Sequence, residues 1–115
     1  MPDTHGEQLA AWGKVVMLET TGRVSGRSIR TAVGFVTEPD GSLLVAAGNP
    51  GAGWAANLFA QPACHGTIGE ERRAYRAEEL AGADRARAIR ELILRYGTPA
   101  ESLGAGPAFR LRPTA

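Results

Sequence analysis

Apolar and polar positions along the chain alternate in short bursts divided by turns rich in glycine and proline, and one longer stretch near the C-terminal end repeats instead at three- and four-residue spacing. Residues 15–20 (VVMLET) form an apolar run of strand length. Residues 29–37 alternate, with Ile29, Thr31, Val33 and Phe35 on one face and Arg30, Ala32, Gly34 and Val36 on the other. The turn at residues 38–42 (EPDGS) carries Asp40-Gly41, a hairpin signal, and leads into a third strand over residues 43–48 (LLVAAG). Residues 54–61 (WAANLFAQ) predict a short helix stopped by Pro62. Residues 63–68 and 72–80 read as a second hairpin around Gly69-Glu70-Glu71. Residues 84–96 predict the longest helix: Ala86, Ile89, Ile93 and Tyr96 recur at helical spacing, Glu91 precedes Arg95 by four, and Gly97 supplies a stop. Residues 108–112 (AFRLR) suit a last strand, and residues 7–13 suit a short helix with Leu9, Ala10 and Trp12 as its apolar surface.

About six short strands joined mostly by hairpins predict an antiparallel sheet curled on itself. Strict strand–helix alternation, the mark of a parallel sheet, is missing. The expected architecture is therefore mainly β within the α+β class, a small barrel with two or three peripheral helices. It forms one domain over residues 1–115, with residues 1–14 expected to be a mobile N-terminal segment.

Composition narrows the function. The chain has 115 residues, 43% hydrophobic and 22% charged, with a net charge of +1. That near-balance argues against a nucleic-acid binder. No run approaches the ~20 apolar residues that cross a bilayer, so no transmembrane segment is expected. The single cysteine, Cys64, permits no internal disulfide and fits a reducing compartment, which makes the cytoplasm the expected location.

The distribution of charge is more informative than its total. Lys14, Arg23, Arg27 and Arg30 against Glu19 alone give residues 14–30 a net +3. Within this stretch Gly22, Gly26, Ser25 and Ser28 are interleaved with the arginines. Glycines let backbone N–H groups converge on an anion, hydroxyls add donors, and guanidinium groups clamp phosphate oxygens. The same spacing also suits a solvated turn. It matches neither a Walker loop nor a dinucleotide fingerprint. The strand face with Arg30, Ala32 and Gly34 is small enough to admit a flat ligand, or else to pack tightly at a barrel corner. Trp54 and Asn57 share one helix face, where the indole could wall a ring pocket and the amide fix a loop or ligand; a core aromatic and a backbone-satisfying amide are the plainer reading.

No self-contained catalytic machinery is visible, and the catalytic residues are unassigned. Cys64 and His65 are adjacent and point to opposite strand faces, so they neither pair nor share a metal, and no metal site is expected. If the chain is an enzyme, a bound cofactor supplies its chemistry.

The run LETTGRVSGRSIRT, followed by a hairpin ending in AAGN, then WAANLFAQP, and the closing GPAFRLRP, resembles the deazaflavin-dependent nitroreductase family. Thr20, Thr21, Gly22, Arg23, Ser25, Gly26, Arg30, Trp54, Asn57, Leu58 and Pro62 carry the likeness, which covers residues 15–112. The resemblance implies a split β-barrel, homodimer formation and coenzyme F420, with FMN as second choice. By the same likeness Arg23, Ser25, Arg27 and Arg30 hold the phosphate and tail, with Gly26 and Asn57 in the same motifs. The ring lies along Thr31, Ala32, Val33 and Gly34, near Gly48, Asn49 and Trp54. The implied activity is hydride transfer from reduced coenzyme F420 to a nitro compound, quinone or activated alkene; the rival class is a non-catalytic cofactor-binding or interaction domain. Val24 departs from the family's frequent basic residue, Ala32-Val33 lacks a nearby proline, and tyrosine-bearing substrate segments are not evident.

Overall fold

The computed structural model describes residues 13–48, 51–97 and 106–114. The expected helix over residues 7–13 lies almost wholly outside them. The strands are β1 (Val16–Thr21), β2 (Ser28–Val33), β3 (Val36–Thr37), β4 (Leu43–Ala46), β5 (Ala63–Ile68), β6 (Glu71–Leu80) and β7 (Ala108–Pro113). Two helices, α1 (Gly53–Ala60) and α2 (Gly82–Tyr96), join them. The strands make one sheet in the order β2-β1-β5-β6-β7-β4-β3, and every neighbouring pair is antiparallel.

The period-two pattern decides which side chains the curled sheet encloses. Val16, Leu18, Val33, Phe35, Leu43, Val45, Tyr75, Phe109 and Leu111 point inward, and Ala55 and Leu58 of α1 plug the space between them. On the outer face Leu44, Ala46, Leu80 and Ala108 are covered by Ala88 and Leu92 of α2. β4 is thus buried on both faces, which is why LLVA reads as a continuous apolar run. On α2 the buried stripe runs through Ala88 and Leu92, flanked by Ile89 and Tyr96; Ala86, expected on that stripe, is exposed.

The expected strand over residues 29–37 is two strands, so the sheet has seven rather than about six. The break at Gly34-Phe35 is held by Tyr96 of α2. Its hydroxyl accepts from the Phe35 N–H at 2.9 Å and donates to the Lys14 carbonyl at 2.7 Å. A Cβ on Gly34 would lie 3.1 Å from the Tyr96 ring, so the small residue makes room for that ring. The open strand face anticipated at Gly34 is a packed corner.

Glu38, in the turn between β3 and β4, fastens the two layers. It accepts from Arg110 Nε of β7 at 2.7 Å and from Arg87 Nη2 of α2 at 2.9 Å, and its side chain is 14% exposed. The Arg110 hydrogen bond, with Arg87 in support and burial opposing, holds its carboxyl below the ordinary 4.5. A carboxylate whose pKa is depressed by folding stabilises the fold above its unfolded value, and that stabilisation is lost as pH falls through the folded value. Melting temperature should accordingly drop as pH is lowered from neutrality through the 4.5 region and below. Glu38→Gln should cost about 1.5–3 kcal/mol at neutral pH, the range for hydrogen bonds to a charged group. It should also flatten that acid limb; a variant with the same pH profile as the parent would show that Glu38 does not contribute to it.

Candidate functional site

Where β1 turns into β2, residues 22–27 fold back on themselves. The Gly22 N–H donates to the Arg27 carbonyl at 2.7 Å, and the Gly26 N–H to the Gly22 carbonyl at 2.8 Å. The Arg27 N–H donates to Ser25 Oγ at 3.2 Å. A Cβ on Gly22 would sit 2.8 Å from Ser25 Oγ and 3.2 Å from the Arg27 carbonyl oxygen, so the loop closes this tightly only on glycine. These amides are turned inward, and an anion here would meet guanidinium groups and hydroxyls more than a ring of backbone N–H groups.

Asn57 of α1 anchors the loop to the barrel. It is 3% exposed. Its Oδ1 accepts from both the Arg23 N–H at 3.2 Å and Arg23 Nη1 at 2.8 Å, while its Nδ2 donates to Thr20 Oγ1 at 3.1 Å. Arg23 Nη1 also reaches the Gly53 carbonyl at 3.4 Å. One buried amide therefore fixes β1, the arginine loop and α1 relative to one another.

These three elements enclose an open cleft of about 480 Å³, lined by Gly22, Arg23, Val24, Ser25, Ile29, Thr31, Ala52, Gly53, Trp54 and Asn57. That volume falls in the range of small-molecule sites. The cleft's cationic side chain is Arg23, held by Asn57; Arg27, further along the same loop and not among the lining residues, makes no guanidinium hydrogen bond or ion pair within the described chain. The N-terminal turn of α1, which no side chain caps, opens on the same region and adds a positive dipole end. The other walls are apolar: Ile29, the Trp54 indole seated on Phe109 at 6.0 Å between ring centroids, and Val24, which is 94% exposed.

The structure brings Arg23, Ser25, Thr31, Trp54 and Asn57 together at the cleft, while Gly26 and Arg27 belong to the same loop but do not line it. Val33 is instead in the inner core. Arg30 and Ala32 alternate with Ile29 and Thr31 and so point to the outer face, opposite Glu19 and Met17 of β1. Gly48 is exposed beyond β4, and Asn49 lies outside the described residues. Sequence reasoning missed Val24, Ile29, Ala52 and Gly53 as lining residues. The parity of Ile29 with Thr31 was legible, but which face turned toward α1 depended on the curl of the sheet. Among the described residues no group of His, Cys, Asp and Glu could hold a metal ion, and no helix is long and apolar enough to cross a membrane.

The curled antiparallel sheet with its two helices is a split β-barrel, and the cleft beside it is of a size to take a small-molecule cofactor. Residues 2–100 match the model of the F420H(2)-dependent quinone reductase family, and the chain belongs to that enzyme family, whose coenzyme is F420. An F420-H2 dependent reductase (FDR-A) is 25% identical, with 86% of this chain and 94% of that one covered and a TM-score of 0.74. A structure described as a domain-swapped dimer is 23% identical over 94% of each chain, with a TM-score of 0.73. The heme storage protein HutZ from Vibrio cholerae is 19% identical over 98% of this chain and 90% of its own, with a TM-score of 0.76, and shows the shared fold alone. No curated protein matches the chain.

Proposed function

We propose that the chain reduces an electron-poor acceptor, quinones foremost and nitro compounds or activated alkenes beside them, with reduced coenzyme F420 held in the cleft. The observation that carries this reading is the division of one cleft into a cationic end and an apolar end. A phosphorylated ring coenzyme has the same division, so the donor set fits it. Arg27, Arg23 and Ser25 would hold the phosphate end, and Trp54, Ile29 and Thr31 would bound the ring. When bound, the reduced coenzyme supplies the hydride. The chain's own part is to orient both molecules, keep water away with the Trp54 and Ile29 walls, and hold negative charge with arginines. Val24 and Ile29 at the cleft mouth favour an apolar, aromatic acceptor over a charged one. We assign the function to the one domain the chain forms, acting in the cytoplasm, and the dimeric neighbour supports a homodimer.

The test is oxidation of reduced F420 by purified protein supplied in turn with a quinone, a nitroaromatic and an enone. Turnover with the quinone is expected; saturable binding of FMN with none of F420 would overturn the reading. Arg27→Ala should weaken F420 binding by roughly 10–100-fold, the equivalent of one lost charged hydrogen bond of about 1.5–3 kcal/mol, and leave the melting temperature unchanged. Unchanged affinity would remove Arg27 from the site.

A further inference from the structure

A second concavity, of about 390 Å³, lies on the other side of the same β1–β2 hairpin. The strand registers place its polar side chains on the outer face: Glu19 opposite His65, His65 opposite Ala74, and Ala63 opposite Arg76. Ile29 and Thr31, which line the cleft, point the other way. The floor of this groove includes the small side chains of Ala63 and Ala74, and its walls carry Arg72, Arg76, His65 and the hydroxyls of Thr21, Ser28 and Thr114. α2 covers β3, β4 and β7 instead, so it leaves this part of the sheet open.

The groove is built to donate. Its one carboxylate, Glu19, is taken by Arg72, which donates from Nε at 2.9 Å and from Nη2 at 3.3 Å and is thereby held in place. Arg76 makes no hydrogen bond or ion pair within the described chain, and the side chains of His65, Thr21, Ser28 and Thr114 make none either. A guanidinium group has donors and no acceptor, so the complement of this surface is a group rich in acceptors. Cys64 also lines the groove, but burial raises its thiol to about 11, so it is a neutral wall and not a nucleophile.

We propose that this outer groove is a second ligand site, separate from the cleft, that binds a small oxyanion, a carboxylate or phosphate monoester, with Arg76 as its main contact and Arg72 and the hydroxyls in support. It goes beyond the reductase reading and does not depend on it. The ligand is a molecule other than the one in the cleft, because the two volumes open on opposite faces of the hairpin.

The full chain can be titrated with inorganic phosphate and separately with succinate, following the His65 imidazole resonances by NMR, assigned with His65→Asn, against sodium chloride of equal ionic strength. Saturable shifts are expected, stronger with the ligand class the groove prefers. Arg76→Gln should weaken them at least tenfold, whereas Arg27→Ala should leave them intact. Arg76 is exposed, and equal melting temperatures of the variant and the parent would verify that it folds. Shifts that only track ionic strength, or that vanish in Arg27→Ala and survive in Arg76→Gln, would overturn the proposal. Arg76→Gln should leave F420 affinity unchanged; a parallel loss would show that the groove serves the cleft's occupant and holds no ligand of its own. Failure of the cleft reading shows in F420 binding to Arg27→Ala, a readout the groove titration does not share.

Discussion

Phe109→Ala is expected to cost about 3–5 kcal/mol of folding stability, the range for truncating a fully buried aromatic side chain. Phe109 is 2% exposed on the inner face of β7, paired across the ladder with Val45. Its ring meets Phe59 at 5.2 Å and Trp54 at 6.0 Å between centroids, with planes tilted by 59° and 56°. Removing it leaves a cavity bounded by two strands and α1, which cannot collapse without moving the sheet. A small domain holds only ~5–15 kcal/mol in total, so the loss is a large share of it. Denaturant titration should show the midpoint shifted strongly to lower concentration, and Phe109→Leu should recover more than half of the loss. Equal, small costs for both variants would mean that the ring is not enclosed as described. The variant also withdraws the floor beneath Trp54, so whatever folded population remains should bind F420 less tightly.

The strands were legible because their code is local. The alternation through Ile29, Thr31 and Val33 and the unbroken LLVA run of β4 both follow from which faces are buried, and the turn residues at Asp40-Gly41 and Gly97 ended elements where expected. The split of the strand over residues 29–37 was not legible. It depends on Tyr96, 61 positions beyond Phe35, whose hydroxyl takes the N–H that a continuous strand would have left for a neighbour. On α2, apolar residues occupy several adjacent helical rows, and only the docking surface formed by Leu44, Ala46, Leu80 and Ala108 selects Ala88 and Leu92 over Ala86.

The candidate site divides in the same way. The arginine loop, Trp54 and Asn57 could be picked out because glycine, hydroxyl and guanidinium groups crowd a short stretch and because helical spacing pairs the tryptophan with the amide. The destination of the hydrogen bonds could not be read. The loop amides of Gly22, Gly26 and Arg27 close on the loop itself, and Arg30 faces away from the cleft with Ala32. Long-range partners decide such roles, and a linear pattern does not encode them. The consequence for the proposed reading is a change of emphasis: an anion would be met by arginine side chains rather than by a cradle of N–H groups, with Asn57 holding Arg23 in place.

Asn57→Ala should therefore be the most damaging single change to the site that leaves the arginines, Ser25, Ile29 and Trp54 chemically intact. The amide meets three donors and acceptors at once, Thr20 Oγ1, the Arg23 N–H and Arg23 Nη1, all in a buried or partly buried setting. Alanine removes the shared partner and leaves the others to find water or go unsatisfied, which costs more than the net value of any one bond. With two neutral hydrogen bonds at ~1 kcal/mol each and one charge-assisted bond at ~1.5 kcal/mol, a loss of about 3.5 kcal/mol is expected. For a chain of this size that corresponds to a fall in melting temperature on the order of 10 °C. The loss of F420 affinity should exceed that of Arg27→Ala, because the whole loop is released from α1. Asn57→Asp separates the two roles. Its carboxylate still accepts from Arg23 but has no N–H for Thr20, so it should keep most of the affinity while losing part of the stability. An alanine variant that melts like the parent and binds F420 equally well would show that the loop is held by other contacts, and the cleft would then need a different anchor.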